Sequence, residues 1–537
     1  MKKRNIYLIL TLLIVMSMLF VACSPAEEPE EPAEGEEPAE GEEPAEGEEP
    51  AEGDEYAEEI VVGKLTDAAY LDPNQSVGIG EIIVTSQIYE GLVAPNPDTR
   101  EIEPQLAEDW EISDDALVYT FNLKPNLKFS DGSPVTGEDW EWSLYRARDA
   151  ETSGYRFAAE PIDTVEATED QVVITLKEPS ASFLGNLCMF NLTVGSKSHW
   201  DAVGEEQYAM EPLGTGPYML KEWAREEYIT LERNPNYWEE GMPLTDILQF
   251  KVVTDDNTRA LQLQAGEIDV MMDVPFSMIS QIEEDDSVEV HTFPSTQIRY
   301  MLLNTQKEPL DNVDVRRAIQ MAIDKEELAE IVTLGYGKPA HSILSETQGD
   351  WFYSDLEIDE YDPEAAKELL AEAGYPDGIE LDISVLSGSA VYEQLAILLQ
   401  SQLADAGIDV TVNLLERAAL LDEFQSLSHE ATILQWVDDY PDPSGIMNWT
   451  LQYDQSDAWY TGLDDMDLEA LNAQANLELD LEKRVGMYHT IQQRIYDNAN
   501  VLPLFSNSFV WASDENVEGL YISPFYVFHT KELRMMK

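Results

Sequence analysis

Cysteine and positive charge are what this sequence has least of. Its 537 residues include two cysteines, six histidines and 31 lysines and arginines against 107 aspartates and glutamates, a formal net charge of −76. Nucleic acid and anionic lipid are therefore poor partners, because both bind proteins through opposite charge. The histidines, at 199, 291, 341, 429, 489 and 529, are scattered and make no metal-ligand spacing with the cysteines. No His-Glu-x-x-His, Gly-x-Ser-x-Gly or Gly-x-x-x-x-Gly-Lys occurs, which argues against a hydrolase or a nucleotide site. Gly214-Thr215-Gly216 runs into Pro217-Tyr218 with no lysine following, so it reads as a structural turn. Asp438, Asp439 and Asp442 crowd one segment but lack the spacing of a calcium loop. Neither a cofactor nor a metal is expected.

What is present begins with an address. Lys2, Lys3 and Arg4 precede an apolar run from Ile6 to Ala22 that ends in Phe20-Val21-Ala22-Cys23, the layout of a bacterial export signal. An uncleaved anchor helix would share that outline, although the run is short for a bilayer. Small residues before a cysteine resemble a lipobox, with Phe20 where Leu is usual, so Cys23 is expected to be the lipid-bearing mature amino terminus. Cys188 then has no disulfide partner, and its apolar neighbours from Phe183 to Leu192 make it a small buried hydrophobe.

Residues 24–59 repeat Pro-Ala-Glu-Gly-Glu-Glu with no aliphatic larger than alanine, which predicts an extended, disordered spacer. The first 23 residues take three of the bases and the spacer takes 18 of the acids, leaving the body 28 bases against 89 acids, a net charge near −61. Such an excess reads as a solvated surface suited to a saline or an alkaline exterior. Roughly 480 residues exceed what one hydrophobic core serves, so two or more lobes are expected.

Strand-like runs alternate with helical ones throughout the body, the pattern of an α/β protein. Ala116–Leu123 and Val172–Leu176 are predicted strands. Helices are predicted over Val315–Leu334, over Pro363–Gly374 behind an Asp362 cap, and from Val391 to Ala406. Ser130-Asp131-Gly132-Ser133-Pro134 predicts a tight turn in which Gly supplies positive φ. Trp238 is expected as an aromatic plug in a core or at a lobe interface.

Several punctuated segments occur in a fixed order. They are Leu71-Asp72-Pro73, Tyr89-Glu90-Gly91-Leu92, Phe129 to Thr136, Gly214 to Tyr218, Glu232 to Trp238, Gly266-Glu267-Ile268-Asp269, Asp314 to Asp324 and Trp436 to Pro443. Together they resemble the extracellular solute-binding proteins of the peptide and nickel ABC importers, over nearly all of residues 60–537. The resemblance implies an α/β, two-lobed periplasmic-binding-protein-like fold of type II with an extra domain and a hinge-closing cleft. Lobe I would collect 60–97, 208–303 and 505–537, the extra domain 98–207, and lobe II 304–504. It implies a monomeric lipoprotein, anchored outside the cytoplasm, that hands a peptide or other small solute to permease subunits.

Residue by residue, the resemblance places an acid that meets a peptide's α-amino group at Asp439, with Trp436 and Val437 beside it. An aspartate capping the turn before Pro441 would look the same. Tyr155 matches a ligand-contacting tyrosine of the extra domain, or is an ordinary core aromatic. Ile79 falls where main chain pairs with peptide, and Met272 is also expected at the ligand. The positions where an oligopeptide-binding relative engages the peptide carboxylate read Val77, Tyr392 and Ile433, so no carboxylate clamp carries over. Longer peptides, capped peptides or non-peptide solutes such as an oligosaccharide or a metal chelate are then favoured over strict dipeptides.

Overall fold

The computed structural model describes residues 56–537 except Val77, Asp98, Thr99 and 151–154. The expected export signal, Cys23 and nearly all of the expected spacer lie outside the described residues. Asp54–Lys537 forms one compact unit. The spacer was expected to reach Glu59, but Tyr56 already bridges to Met536 and the Ala57 N–H donates to the Met535 carbonyl at 2.8 Å. The carboxyl-terminal residues thus bind the start of the body.

Two large sheets and one small one organise the described residues. The seven-stranded sheet runs, edge to edge, through Val288–Phe293, Phe509–Asp514, Val270–Met271, Glu59–Lys64, Ile247–Val252, Tyr228–Arg233 and Tyr218–Ala224. The six-stranded sheet runs through Gly337–Pro339, Val501–Asn507, Ile298–Leu303, Ala431–Trp436, Ile379–Leu386 and Ile408–Leu415. Only residues 294–297 and Ser508 separate strands of one sheet from strands of the other, so two short crossings connect them. Ile298–Leu303 and Val501–Asn507 both belong to the second sheet, so the crossings fall at 294–297 and at Ser508.

The small sheet, Ala107–Ile112, Val118–Leu123, Gln171–Leu176 and Ile162–Ala167, is antiparallel. Alternation explains it: Tyr119, Phe121 and Leu123 face the core while the residues between them are half-buried, and Val172, Ile174 and Leu176 do the same opposite. The turn at Ser130–Pro134 has Gly132 at φ +89°, and Asp131 Oδ1 accepts from the Ser133 N–H at 2.8 Å.

In the second sheet, Ile379–Leu386 and Ile408–Leu415 pair in parallel across the helix Ala390–Asp405, as a parallel pair requires. Pro363–Glu372 is a helix whose Asp362 cap accepts from the Ala365 N–H at 2.9 Å. The single helix predicted over Val315–Leu334 is two, Val313–Met321 and Lys325–Thr333. Asp324 breaks it, because its carboxylate accepts from the Glu327 N–H at 2.9 Å and starts a new helix. Gly214 and Gly216 press against the end of the helix Ile79–Ile88, where a Cβ on Gly214 would lie 2.1 Å from the Ile88 carbonyl. That contact makes the Gly-Thr-Gly segment a packing turn.

Candidate functional site

The strand Ala431–Trp436 decides the site by its alternation. Trp436 turns into an aromatic cluster with Trp449 and Trp459, at ring separations of 6.2 and 5.7 Å. Its neighbours Gln435 and Val437 line a cavity of about 330 Å³ instead. Beyond Trp436 the chain becomes a loop pinned on several sides. Val437 packs on the core of the seven-stranded sheet. The Asp438 N–H donates to Thr296 Oγ1 at 2.9 Å, and Gln348 Nε2 donates to Asp438 Oδ2. Tyr440 inserts into the core of the small sheet's domain, where its hydroxyl meets Ser444 Oγ at 3.1 Å. Asp442 accepts from both arms of Arg484, at 2.6 and 2.8 Å.

Asp439 is held at the centre of this loop, half-buried against the cavity, and among the described residues no hydrogen bond or ion pair reaches its carboxylate. Burial pushes its pKa up to about 7. Burial, and then the Asp439 charge, push Asp438 up to about 8. The Tyr155 phenol is raised by burial first and by Asp439 second, which puts it within reach of the same charge. Phe157 and Phe190 fix the Tyr155 ring, at 6.0 and 4.9 Å. Ile79 opens the helix Ile79–Ile88 and contributes to the wall with Ile82 and Ile83.

Four of the expected residues therefore meet at one cavity: Asp439, Tyr155, Ile79 and Val437. Trp436 faces away from it, and Met272 is 2% exposed in the core of the seven-stranded sheet. Tyr392 and Ile433 pack with the core of the second sheet, and Val77 lies outside the described residues. Cys188 lines the cavity as a half-buried thiol whose pKa is pushed up to about 12 by desolvation. Among the described residues no group of three or more histidines, cysteines and acids could hold a metal.

Two features of the cavity rest on pairings between segments distant in sequence. The segment Phe525–Lys531 forms one wall, held by Tyr526, whose hydroxyl donates to both Asp273 oxygens at 2.6 Å. Tyr526 and Asp273 both sit at positive φ, +61° and +51°, so that bond stabilises a backbone most residues avoid. At the other end, Glu90 accepts from the Tyr237 hydroxyl and Trp238 Nε1, each at 2.7 Å, and burial pushes its pKa up to about 7. Trp238, the expected plug, is thus a donor to a buried acid as well as a packing residue.

A cavity bounded by two sheets and a small third domain, with a waiting carboxylate and an apolar wall, defines a solute-binding protein of the periplasmic-binding-protein fold. Residues 101–458 match the model of the bacterial extracellular solute-binding proteins, family 5, and the chain belongs to that family. It is 27% identical over 478 residues to the glutathione-binding protein GsiB of Escherichia coli O1:K1, covering 87% of this chain and 93% of that protein. The DppA periplasmic binding protein of Helicobacter pylori, solved in complex with peptide STSA, superposes with a TM-score of 0.78 at 26% identity, over 89% of this chain and 99% of that one. CtaP of Listeria monocytogenes, an ABC transporter substrate-binding protein, gives a TM-score of 0.82 at 25% identity, over 90% and 100%.

Proposed function

We propose that this chain captures peptides outside the cell by their free amino terminus and delivers them to an ABC importer. The observation that carries the reading is Asp439: a carboxylate placed by five anchored neighbours, open to a cavity and without a partner among the described residues. An ammonium is the group that such a carboxylate lacks, and the bond between them is charge-assisted. Relatives named for peptide or glutathione support the same ligand class. The two sheets and the small domain act as lobes that close over ligand by bending at residues 294–297 and Ser508, which desolvates the solute from both sides. Cys23 carries the lipid anchor, the acidic spacer stands the body off the membrane, and the protein works as a monomer without chemical turnover. Incubation of the purified chain with a mixed peptide library, followed by mass spectrometry of what co-purifies, tests the reading. Recovery of peptides with free amino termini is expected; recovery of sugars or metal chelates and no peptide would overturn it.

A further inference from the structure

A zwitterionic peptide held by its ammonium must also put its carboxylate somewhere, and among the described residues each source of positive charge that lines this cavity or stands at its ends is already engaged. Lys531, the lysine of the wall, has its Nζ 2.7 Å from Glu239 Oε2 and 5.8 Å from the Trp238 ring. Lys124 lies over the same ring at 4.0 Å and donates to the Gln105 and Ala107 carbonyls. Glu90 is buried beside them and adds negative charge to that end. The N-terminus of the helix Ile79–Ile88 would otherwise attract an anion. Its own Glu81 occupies it, accepting from the Gly78 N–H at 2.8 Å and the Ala69 N–H at 3.1 Å. Arg299 is 9% exposed, is bound by Gln297 and Asn507, and does not line the cavity. The ring of His529 packs on Tyr521 at 5.3 Å. The rest of the described lining adds no positive charge: Ile82, Ile83, Met189, Phe190, Val527 and Phe528 are apolar, and Ser86, Gln87, Gln105, Thr193, Gln435 and Thr530 are uncharged.

We propose that the cavity reads its ligand at the amine end alone, and that its ligands are peptides with apolar leading residues whose carboxylate is either amidated or carried outside the cavity on a longer chain. This rests on the peptide reading above. A carboxylate brought inside would lose its hydration and meet Glu90 without a free counter-charge, whereas an uncharged carboxamide would meet neither penalty.

The test titrates the purified chain calorimetrically with Leu-Ala-Leu as the free acid and as the carboxamide. It is run at pH 8, so that an ordinary imidazole adds no charge, and in 0.3 M salt to screen the acidic surface. The carboxamide should bind as tightly as the acid, within about threefold, or more tightly. A direct clamp is worth about tenfold or more. An advantage to the acid beyond threefold overturns the inference and leaves the peptide reading standing. If neither form binds, the peptide reading falls and takes the inference with it.

Discussion

Asp442 and Arg484, 42 residues apart in sequence, meet in a two-pronged ion pair at 2.6 and 2.8 Å with side-chain exposures of 8% and 4%. The pair ties the end of the Asp439 loop to the helix Leu481–Asn498, and Arg484 also bonds the Ala475 carbonyl at 2.9 Å. Burial makes the pair asymmetric in its consequences, since each charge alone is far worse than both together.

Arg484→Met should therefore destabilise the body by about 3–5 kcal/mol, because it leaves the Asp442 carboxylate buried without its partner. Denaturant unfolding measures the loss. Adding Asp442→Asn to Arg484→Met should recover part of it, and a double variant no more stable than the single would show that the damage is packing and not stranded charge.

Asp439→Asn should weaken binding of a free-amine peptide by about 2–5 kcal/mol without lowering the melting temperature, because the counter-charge belongs to the ligand and burial already disfavours the ionised carboxyl. Amino-terminal acetylation should cost the wild type a comparable amount and the variant little. Calorimetry on the four combinations decides it. Equal binding of free and acetylated peptide by the wild type would remove Asp439 from the amine and move a non-peptide solute to first place.

The pH dependence of binding follows from the same carboxyl. Burial holds Asp439 at about 7, and an ammonium binds its ionised form, so affinity should fall roughly tenfold for each pH unit below about 7. An ordinary α-amino group begins to lose its proton at about 7.7–8.0, which weakens binding again above that range. The affinity maximum thus lies between about pH 7 and 8, with proton release on binding at pH 6. Titrations in buffers of different ionisation enthalpy read that release, and proton-neutral binding at pH 6 would contradict it.

How far the sequence alone reaches depends on whether a contact leaves a local trace. The Asp439 loop was legible because a tryptophan, an acid and two prolines punctuate a few consecutive residues. The alternation that turns Trp436 away and Val437 inward is also local, yet deciding which face meets the cavity needs the neighbouring strand, Ile298–Leu303, where Ile298 pairs with Trp436. Met272 lies just past the two-residue strand Val270–Met271, which is too short to leave a pattern that shows the residue after it facing the core. The wall Phe525–Lys531 is aromatic-rich, but its place depends on the Tyr526 bond to Asp273, 253 residues away. The Lys531–Glu239 pair, which decides whether a carboxylate can be held, spans a similar distance and has no motif. The break at Asp324 could have been read as a cap inside a periodic run, had side-chain capping been weighed against apolar period.

Asp438 offers the remaining test, on stability instead of binding. Burial and the Asp439 charge raise its carboxyl from an ordinary 3.8 to about 8, so in the folded protein it stays protonated well above the pH at which the unfolded chain ionises it. A carboxyl raised by folding contributes its full stability below about pH 4. It then loses that contribution progressively as pH rises, until the loss levels off above about 8. Asn is neutral at every pH in this window and keeps an oxygen to accept from Gln348 Nε2, so Asp438→Asn should abolish that slope. At pH 4 the variant and the wild type should melt together. At pH 8.5 the variant should melt higher by a few degrees, about 2–4 °C for each kcal/mol relieved in a mid-sized domain and less in a larger one. Scanning calorimetry at the two pH values checks both halves, and a variant that melts lower than wild type at pH 8.5 would show that the ionised Asp438 is compensated within the fold.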